Sequence, residues 1–326
     1  MTNEVSVPTL DDVRHLVDQA FPALQVSDFE YLSGGRINAN LKLTLRSGRP
    51  PLVLRLYRDG AAVCRKEMAI LQLLSKTVPV PEVLHSEPDS SAGLGAFAIL
   101  EFVEGITFQQ LKRTKDLPAI HQAAYSVGKT LAAIGRHHFP AAGRLIGEEY
   151  SLQVGEPYVT APHQTASLMD QFLASPNCER RVGPRLRQRL HEFAWAWEAL
   201  MPKLQNDRSL VHSDFGNRNI MVREQGGEWK VAAVLDWEFA FSGSPLLDVG
   251  HFLRYERQEL PLREPNFSRG FVENGGGLPD RWRDIVRVID LTALVECLTQ
   301  EDLPSDLEAE LLALIQATLK ECAPEI

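Results

Sequence analysis

The stretch "VHSDFGNRNI", residues 211–220, places one histidine, one aspartate and two asparagines within ten positions. Asp, Asn and Gly are frequent in turns because they bend the backbone at little energetic cost, so one interpretation is an ordinary turn. The other interpretation is a catalytic site in which Asp214 and Asn219 face a nucleophile and a metal ion. The residues on either side of the stretch distinguish these two interpretations.

The residues that follow predict a β-hairpin. Two β-type runs flank the sequence QGGE (225–228), and paired glycines between such runs are a strong hairpin signal. Centring the turn on the glycines pairs Asn219 with Val234 and places Asp236 about 7 Å along the strand from that pair. An amide and a carboxylate therefore meet at the open end of the hairpin, with Asp214 in the preceding loop. Oxygen ligands of this kind suit Mg²⁺.

Short β-type runs dominate the chain before about residue 105. They are LKLTLRS (41–47), PLVLRLY (51–57) and FAILEFV (97–103). The sequence RSGRPP between the first two runs is typical of a turn, so these runs are expected to form a hairpin. A single helix, 61–76, interrupts the runs, and the prolines after it end it. We therefore predict a small, mostly β N-terminal lobe with one helix over residues 1–104.

Helical periodicity replaces the β-type pattern further along the chain. The stretches that show it are 120–138, 184–200, 281–298 and 305–321. The whole pattern predicts an α+β protein of two lobes, in which a larger, mainly helical lobe spans residues 105–326. The stretch 211–220 lies within this second lobe.

Composition and charge argue against several classes of protein. A net charge of −9 disfavours binding to nucleic acid, which needs clustered Lys and Arg. The four cysteines lie far apart without a CxxC pair, so we expect reduced thiols and a cytoplasmic location. The first twenty residues carry acids rather than the features of a signal peptide. No run of about 18 apolar residues is present to span a membrane.

The sequence HSDFGNRN followed by LDWEFAFSGSPLLD (235–248) resembles the aminoglycoside phosphotransferase and choline kinase family, which has the protein-kinase-like fold. In the kinase signature, a catalytic Asp precedes by five residues an Asn that holds Mg²⁺, and a further metal-binding Asp follows. The resemblance implies that Asp214 is the catalytic base and that Asn219 and Asp236 bind the metal. It also implies that His212 and Asp248 support the catalytic loop.

The resemblance extends to the N-terminal lobe. The sequence LSGGRINANLKLTL (32–45) resembles the nucleotide loop of the family, where Gly34 and Gly35 let backbone N–H groups approach phosphates closely. Arg55 occupies the place of the cation that contacts the phosphates, with Glu67 on the next helix as its partner. Protein kinases have lysine there, whereas arginine can form a fork across two phosphate oxygens. The alternative for Arg55 and Glu67 is an ordinary surface ion pair.

The segment ILEFVEG (99–105) falls where the hinge of the family joins the two lobes. By the resemblance, the backbone carbonyl of Glu101 and the N–H of Val103 would meet the edge of adenine. The implied cofactors are ATP and Mg²⁺. By itself, however, such a segment is simply a strand that ends in a turn.

Glu238 is a departure from the protein-kinase pattern, because it stands where those enzymes have the glycine of the DFG motif. Only nine residues separate Glu238 from Asp248, which leaves no room for an activation loop. A small-molecule kinase is therefore favoured over a regulated protein kinase. Two roles remain open for Glu238, a carboxylate near the metals or the partner of a neighbouring cation.

We thus expect an ATP-dependent phosphotransferase that phosphorylates a hydroxyl of a small molecule, such as an aminoglycoside, an amino alcohol or a sugar. One alternative is a catalytically inactive, kinase-like module that binds nucleotide. Such modules usually lack the base or a metal ligand, and this sequence has both. A metal-dependent hydrolase built on His212 and Asp214 is a third possibility, but further histidines at metal-ligand spacing are missing.

Two residues of the helical lobe are candidates for binding the acceptor. Trp195 points away from the apolar stripe of its helix, so it could line a pocket, cage a cation or pack on another element. Glu296 lies within about 20° of Ile285 on a helical wheel, which places it on the predicted buried face, while Asp290 points away. Glu296 would bind an ammonium or hydroxyl of the acceptor, pair with an arginine, or lie near solvent at the helix end.

Overall fold

A computed structural model describes most of the chain. The ranges that it describes are 8–32, 38–46, 48–90, 94–148, 151–156, 164–198, 200–201, 207–256, 258 and 260–322. In these ranges, no helix has the length and apolar character needed to cross a bilayer.

The N-terminal part is an antiparallel sheet of five strands with a helix on each face. Its elements are α1 (Leu10–Ala20), β1 (Val26–Tyr31), β2 (Ala39–Leu45), β3 (Leu52–Leu56), α2 (Ala61–Leu74), β4 (Val83–Glu87) and β5 (Phe97–Glu101), and the strand order is β1-β2-β3-β5-β4. Alternate residues of a strand point to opposite faces of its sheet. Accordingly, Phe97 and Ile99 of β5 pack in the cluster that contains α1, and Ala98 and Leu100 pack in the cluster that contains α2.

The prediction of one helix in this lobe was wrong, because α1 is a second one. A capping box starts it: Thr9 Oγ1 accepts from Asp12 N at 3.2 Å, and Asp12 Oδ2 accepts from Thr9 N at 2.8 Å. Its buried residues Val13, Leu16 and Val17 cover one face of the sheet. The capping residues and the helical spacing were both present in the sequence.

The C-terminal part is mainly helical. Its elements are β6 (Ile106–Thr107), α3 (Phe108–Thr114), α4 (Leu117–Ile134), β7 (Gly143–Glu148), β8 (Ser151–Val154), α5 (Gln164–Leu173), α6 (Pro176–Glu198), β9 (Ser209–Val211), β10 (Ile220–Gln225), β11 (Glu228–Val234), β12 (Phe241–Gly243), α7 (Leu246–Leu253), α8 (Asn266–Glu273), α9 (Trp282–Cys297) and α10 (Ser305–Glu321). Helices lie at all four predicted stretches, although α4 spans Leu117–Ile134 rather than 120–138. The helix predicted at 184–200 forms the second part of α6, which kinks at Gly183, where φ is 67°.

The first strand of this part, β6, pairs with β10 rather than with the five-stranded sheet, which ends at Glu101. The division of the lobes at residue 104 stays a prediction, and this change of sheet is consistent with it. The predicted α+β architecture, a β-sheet region followed by a helical region, is confirmed.

Helix α4 is the central helix of the second lobe and packs closely against α8. A Cβ atom on Gly128 would lie 2.1 Å from the backbone oxygen of Phe267, and one on Gly270 would lie 2.1 Å from that of Tyr125. The two helices therefore contact each other through their backbones. This rigid pair supports the β10–β11 hairpin, since α4 residue Ser126 accepts from Val231 N at 3.0 Å.

Candidate active site

The predicted catalytic loop, residues 212–219, lies between β9 and β10 and is organised around His212. This side chain is fully buried, its Nε2 donates to Leu235 O at 2.8 Å, and its Nδ1 accepts from Asp214 N at 3.2 Å. These two bonds correspond to a neutral ring with its hydrogen on Nε2. His212 therefore joins the loop to the segment that carries Asp236.

A second buried side chain, Asp248 of α7, holds the start of the loop. Its two carboxylate oxygens accept from His212 N at 2.7 Å and from Ser213 N at 2.9 Å. Burial raises the pKa of Asp248 to about 6, although the two N–H donors oppose that effect. Ser213 has a backbone φ of 71°, which is unusual for a residue other than glycine. The two bonds to Asp248 stabilise this sharp turn before Asp214.

Asp214 and Asn219 contact each other directly. Asn219 Nδ2 donates to the backbone oxygen of Asp214 at 3.0 Å and to its Oδ2 at 2.8 Å. Asp214 is exposed, but desolvation by the surrounding protein still raises the pKa of its carboxylate. A raised pKa makes this carboxylate a stronger base than a free aspartate.

The hairpin after the loop forms as predicted at its turn but not at its open end. Gly226 and Gly227 have φ 65° and 81°, which a two-residue type I′ turn requires. The register shifts by one residue between Met221 and Val222, so Ile220 rather than Asn219 lies opposite Val234. The predicted pairing was wrong because a β-bulge was not visible in the sequence.

Asn219 nevertheless lies beside the segment that carries Asp236, since its backbone oxygen accepts from Leu235 N at 2.8 Å. Asp236 has φ 69° and accepts from Arg55 Nη2 at 2.5 Å. Among the described residues, Asn219 Oδ1 and Asp236 Oδ2 accept no hydrogen bond. Each of the two predicted metal ligands therefore keeps a free oxygen.

The partner network of Arg55 is buried and crosses from β3 to α2. Arg55 is 5% exposed, and its Nε lies 2.8 Å from Oε2 of Glu67. Oε2 of Glu67 also accepts from the Tyr57 hydroxyl at 2.7 Å, and Oε1 accepts from Trp237 N at 3.0 Å. The alternative of an ordinary surface ion pair is therefore wrong. Burial alone would lower the pKa of Arg55, but the carboxylate of Glu67 raises it above its ordinary value.

Glu238 lies next to this network and is almost fully buried. Asn38, which ends the glycine loop, donates from Nδ2 to Oε2 of Glu238 at 2.7 Å. Burial and the nearby carboxylate of Asp236 raise the pKa of Glu238 to about 7. Of the two open roles for Glu238, the ion pair with a cation is not seen among the described residues.

The other residues that were predicted to contact the nucleotide lie at the end of β5 and in the glycine loop. Glu101 ends β5 with an exposed side chain, and Val103 is half-buried just after it. Gly34 and Gly35 lie outside the described residues. Among the described residues, no group of three or more His, Cys, Asp or Glu side chains could hold a metal ion. A metal at Asn219 and Asp236 would therefore need further ligands, which water and phosphate oxygens commonly supply.

Trp195, a candidate for the acceptor site, faces α5. Its Nε1 donates to Asp170 Oδ2 at 2.9 Å, and His191 of the same helix shares that carboxylate at 2.6 Å. Of the interpretations given for Trp195, packing against another element describes this arrangement. A role in acceptor binding stays a prediction.

Glu296 and Asp290 do not lie as the helical wheel predicted. Glu296 is exposed, whereas Asp290 is buried and accepts from Arg254 Nε at 2.9 Å and Nη2 at 2.7 Å. The reason is that α9 packs against several helices, so it has more than one buried face, and Arg254 after α7 compensates the buried charge of Asp290. Desolvation by the surrounding protein still raises the pKa of Glu296.

Sequence reasoning missed several residues that hold this site. They are Asn38, Tyr57, Arg254 and Arg263. Tyr57 could have been found, because it lies two residues after Arg55 and so points to the same side of an extended chain. The contacts of Asn38 with Glu238, Arg254 with Asp290 and Arg263 with Asn217 span 36 to 200 positions, and no local pattern indicates them.

Comparisons with known proteins agree with this geometry. Residues 28–285 match the sequence model of the phosphotransferase enzyme family. The fold is similar to that of a mutant of aminoglycoside phosphotransferase APH(4)-Ia in complex with AMP-PNP and hygromycin B, with a TM-score of 0.69 and 21% identity, over 96% of this chain and 99% of that chain. It is also similar to a putative fructosamine-3-kinase from Thermobifida fusca, with a TM-score of 0.65 and 16% identity, over 96% and 100% of the two chains.

Curated relatives include human acyl-CoA dehydrogenase family member 11, which is 28% identical over 207 residues, or 64% of this chain and 24% of that protein. The Arabidopsis thaliana protein IBR3, a probable acyl-CoA dehydrogenase, is 26% identical over 73% of this chain and 28% of that protein. The chain thus spans about a quarter of the length of these relatives. The family match and the structural similarity confirm the protein-kinase-like fold, and the chain belongs to the phosphotransferase enzyme family.

Proposed function

We propose that this protein is a small-molecule kinase that transfers the γ-phosphoryl group of ATP to a hydroxyl group. The observation that carries the proposal is the contact of Asp214 with Asn219 beside the buried Arg55–Glu67–Asp236 network. An inactive module usually lacks one of these groups, and here they are all present and connected. The alternative of a module that only binds nucleotide is therefore less well supported.

The free oxygens of Asn219 and Asp236 fit Mg²⁺, which prefers carboxylate and amide oxygens with several waters or phosphate oxygens. Bound there with the nucleotide, Mg²⁺ would neutralise charge on the transferred phosphoryl group. Arg55 would contact the same phosphates through the nitrogens that Glu67 does not hold. Positioning and charge neutralisation supply most of the catalysis in such reactions.

Asp214 is proposed to orient the acceptor hydroxyl and accept its proton. Its Oδ2 is held by Asn219, which leaves Oδ1 free among the described residues. The raised pKa supports this role, because a more basic carboxylate is a better proton acceptor. His212 and Asp248 would keep the loop in place without contacting substrate.

Further parts of the nucleotide site are proposals by resemblance alone. They are phosphate contacts by the loop of Gly34 and Gly35, and adenine contacts by the Glu101 carbonyl and the Val103 N–H. We also infer a cytoplasmic location. The free thiols of Cys64, Cys178, Cys297 and Cys322 support it.

The nature of the acceptor is the open part of the proposal. Structural neighbours carry hygromycin B in one case and are described as a fructosamine kinase in another, which supports amino sugars and glycated amines. A second class is suggested by the curated relatives, whose names place them among acyl-CoA dehydrogenases. If a region like this chain shares substrates with the rest of those proteins, a hydroxylated acyl thioester would be an acceptor.

A screen for acceptor-dependent ATP consumption tests the proposal. Wild-type protein is incubated with Mg²⁺, ATP and a panel of aminoglycosides, amino alcohols, sugars, fructosamines and hydroxyacyl thioesters, and phosphorylated products are identified by mass. Asp214→Ala is the control, and it should bind nucleotide while losing transfer. Retention of more than about 10% of the wild-type rate by this variant would contradict the assignment of the base. Nucleotide binding without transfer to any acceptor would instead favour the inactive module.

A further inference from the structure

A buried ion pair between Glu256 and Arg263 lies behind the catalytic loop. Arg263 is 0% exposed, and its Nε donates to Glu256 Oε2 at 2.5 Å. The other oxygen, Glu256 Oε1, accepts from Arg263 N at 2.5 Å and Glu264 N at 2.7 Å. The guanidinium also lies over the ring of Phe252, 5.3 Å from its centroid. Glu256 thus fixes the whole arginine in one orientation.

The fixed arginine reaches the catalytic loop through Asn217. Arg263 Nη1 donates to Asn217 Oδ1 at 3.1 Å, and the backbone oxygen of Asn217 accepts from Gln109 N at 3.0 Å. Phe215 of the same loop packs against Phe252, with ring centroids 6.2 Å apart. Phe215 and Asn217, the two residues on either side of Gly216, are therefore held by the buried side chains of Phe252 and Arg263. Phe215 follows directly after Asp214.

Stability alone gives a poor reason for this arrangement. Buried ion pairs can often be replaced by apolar side chains without loss of stability, because removing two charges from water is costly. Here the cost is larger, since Arg263 Nη2 is buried and has no hydrogen-bond partner among the described residues. In some proteins a buried ionic group fixes a local structure instead.

We propose that Arg263 is a positioning residue for phosphoryl transfer, which acts through Asn217 on the segment that carries Asp214. Asp248 holds the loop before Asp214 by the amides of His212 and Ser213, and Arg263 holds it after Asp214. The carboxylate of Asp214 then lies between two segments of the loop, each of which is fixed by a buried side chain. This inference rests on the proposed function of Asp214 as the base.

The test compares Arg263→Met with a matched control, Arg181→Met. Arg181 is a half-buried arginine whose side chain is only 5% exposed and lies 3.0 Å from Glu308. It also donates to the carbonyl of Leu298 at 2.6 Å, in a region without a described contact to the catalytic loop. Arg263→Met should lower kcat on the order of tenfold or more, as loss of a charged hydrogen bond at the loop implies, with the nucleotide KM within about twofold. Arg181→Met should lower Tm and leave kcat within about twofold.

A double-variant cycle tests the route through Asn217. Asn217→Ala should lower kcat as Arg263→Met does, and the combined variant should be no slower than either by more than about twofold, because both remove one contact. If Arg263→Met does not fold, Arg263→Lys replaces it, since lysine can keep the pair with Glu256 but cannot also reach Asn217 as a fork does. A folded Arg263→Lys or Asn217→Ala protein with wild-type kcat would overturn the proposal.

Amide hydrogen exchange of residues 209–219 separates this inference from the proposed function. Arg263→Met and Asn217→Ala should speed exchange there, and Arg181→Met should not, whether or not an acceptor is known. A wild-type protein that transfers phosphate to no acceptor refutes the proposed function, and with it the catalytic role of Arg263. Unchanged exchange in Arg263→Met would refute the positioning role of Arg263 even in an active enzyme.

Discussion

Two buried carboxylates hold the candidate active site, and they differ in what they bind. Asp248 accepts from two backbone amides, those of His212 and Ser213, which lie in the same lobe. Glu67 binds the side chains of Arg55 and Tyr57 and the backbone amide of a residue 170 positions away, so it joins the two lobes. One carboxylate fixes a backbone turn, and the other fixes a cation.

This difference separates the two halves of the reaction. Under the proposed function, the turn that Asp248 fixes would determine where the base Asp214 lies. The cation that Glu67 fixes also contacts Asp236, a predicted metal ligand, so under the proposed function its orientation would control nucleotide binding. Variants of Asp248 should therefore change mainly kcat, and variants of Glu67 should change mainly nucleotide binding.

The largest effect of these changes is expected for Asp248→Asn. The amide group of Asn places a donor against one of the two backbone N–H groups, so the turn loses at least one charged hydrogen bond. Such bonds contribute about 1.5–3 kcal/mol, which corresponds to roughly a 10- to 150-fold loss of kcat. Steady-state kinetics with the identified acceptor measures it. A large rise in nucleotide KM at unchanged kcat would contradict the comparison.

Glu67→Gln should have the next largest effect, and this effect should fall on nucleotide binding. In Gln, one carboxylate oxygen of Glu67 becomes an NH₂ group. That group would face either Trp237 N, or Arg55 Nε and the Tyr57 hydroxyl, so a donor would lie against a donor. Arg55 would then lose its fixed orientation. Nucleotide KM should rise roughly tenfold, with a smaller change in kcat. Titration with a fluorescent ATP analogue measures binding directly. The control is Glu30→Gln, because Glu30 forms an exposed pair with Lys42 that should matter little.

The comparison also shows which contacts a sequence can predict. Asp214 and Asn219 lie five residues apart and the hairpin turn has two glycines, so a local motif is enough to place them together. Glu67 reaches Trp237 across 170 positions and Asn38 reaches Glu238 across 200, and local periodicity contains no information on such pairs. Even within the hairpin, a single bulge moved the pairing by one residue.

Helical wheels failed for a related reason. They assume one buried face, which holds for a helix on the surface of a domain. Helix α9 is surrounded by several helices, so Asp290 is buried and Glu296, at its last turn, is not. The position of a charged residue on such a helix depends on its neighbours, here Arg254, and these come from a distant part of the sequence.

A smaller effect is expected for Tyr57→Phe. The ring of Tyr57 lies 5.3 Å from the guanidinium of Arg55 and would remain, while the hydrogen bond of its hydroxyl to Glu67 would be lost. One such bond contributes about 1 kcal/mol, so nucleotide KM should rise about three- to fivefold. The control is Tyr125→Phe, which removes a hydroxyl bonded to Glu273 at 2.8 Å on an exposed surface. An equal effect of both variants would argue against a specific role for Tyr57.

The smallest effect is expected for Glu296→Gln, which should change only the KM of the acceptor. Glu296 and Asp214 share two features, since each meets solvent while burial raises its pKa.

A cationic acceptor would lose one exposed charge contact in this variant. Because solvent weakens such contacts, the expected rise in acceptor KM is only about threefold, with the nucleotide KM unchanged. An uncharged acceptor should show no change, so parallel measurements with an amino sugar and its hydroxyl analogue are informative. If the KM values of both acceptors stay unchanged while Tm falls, Glu296 is a structural acid. A rise for the amino sugar alone would make the helical lobe, rather than the lobe that binds nucleotide, the place where acceptors are distinguished.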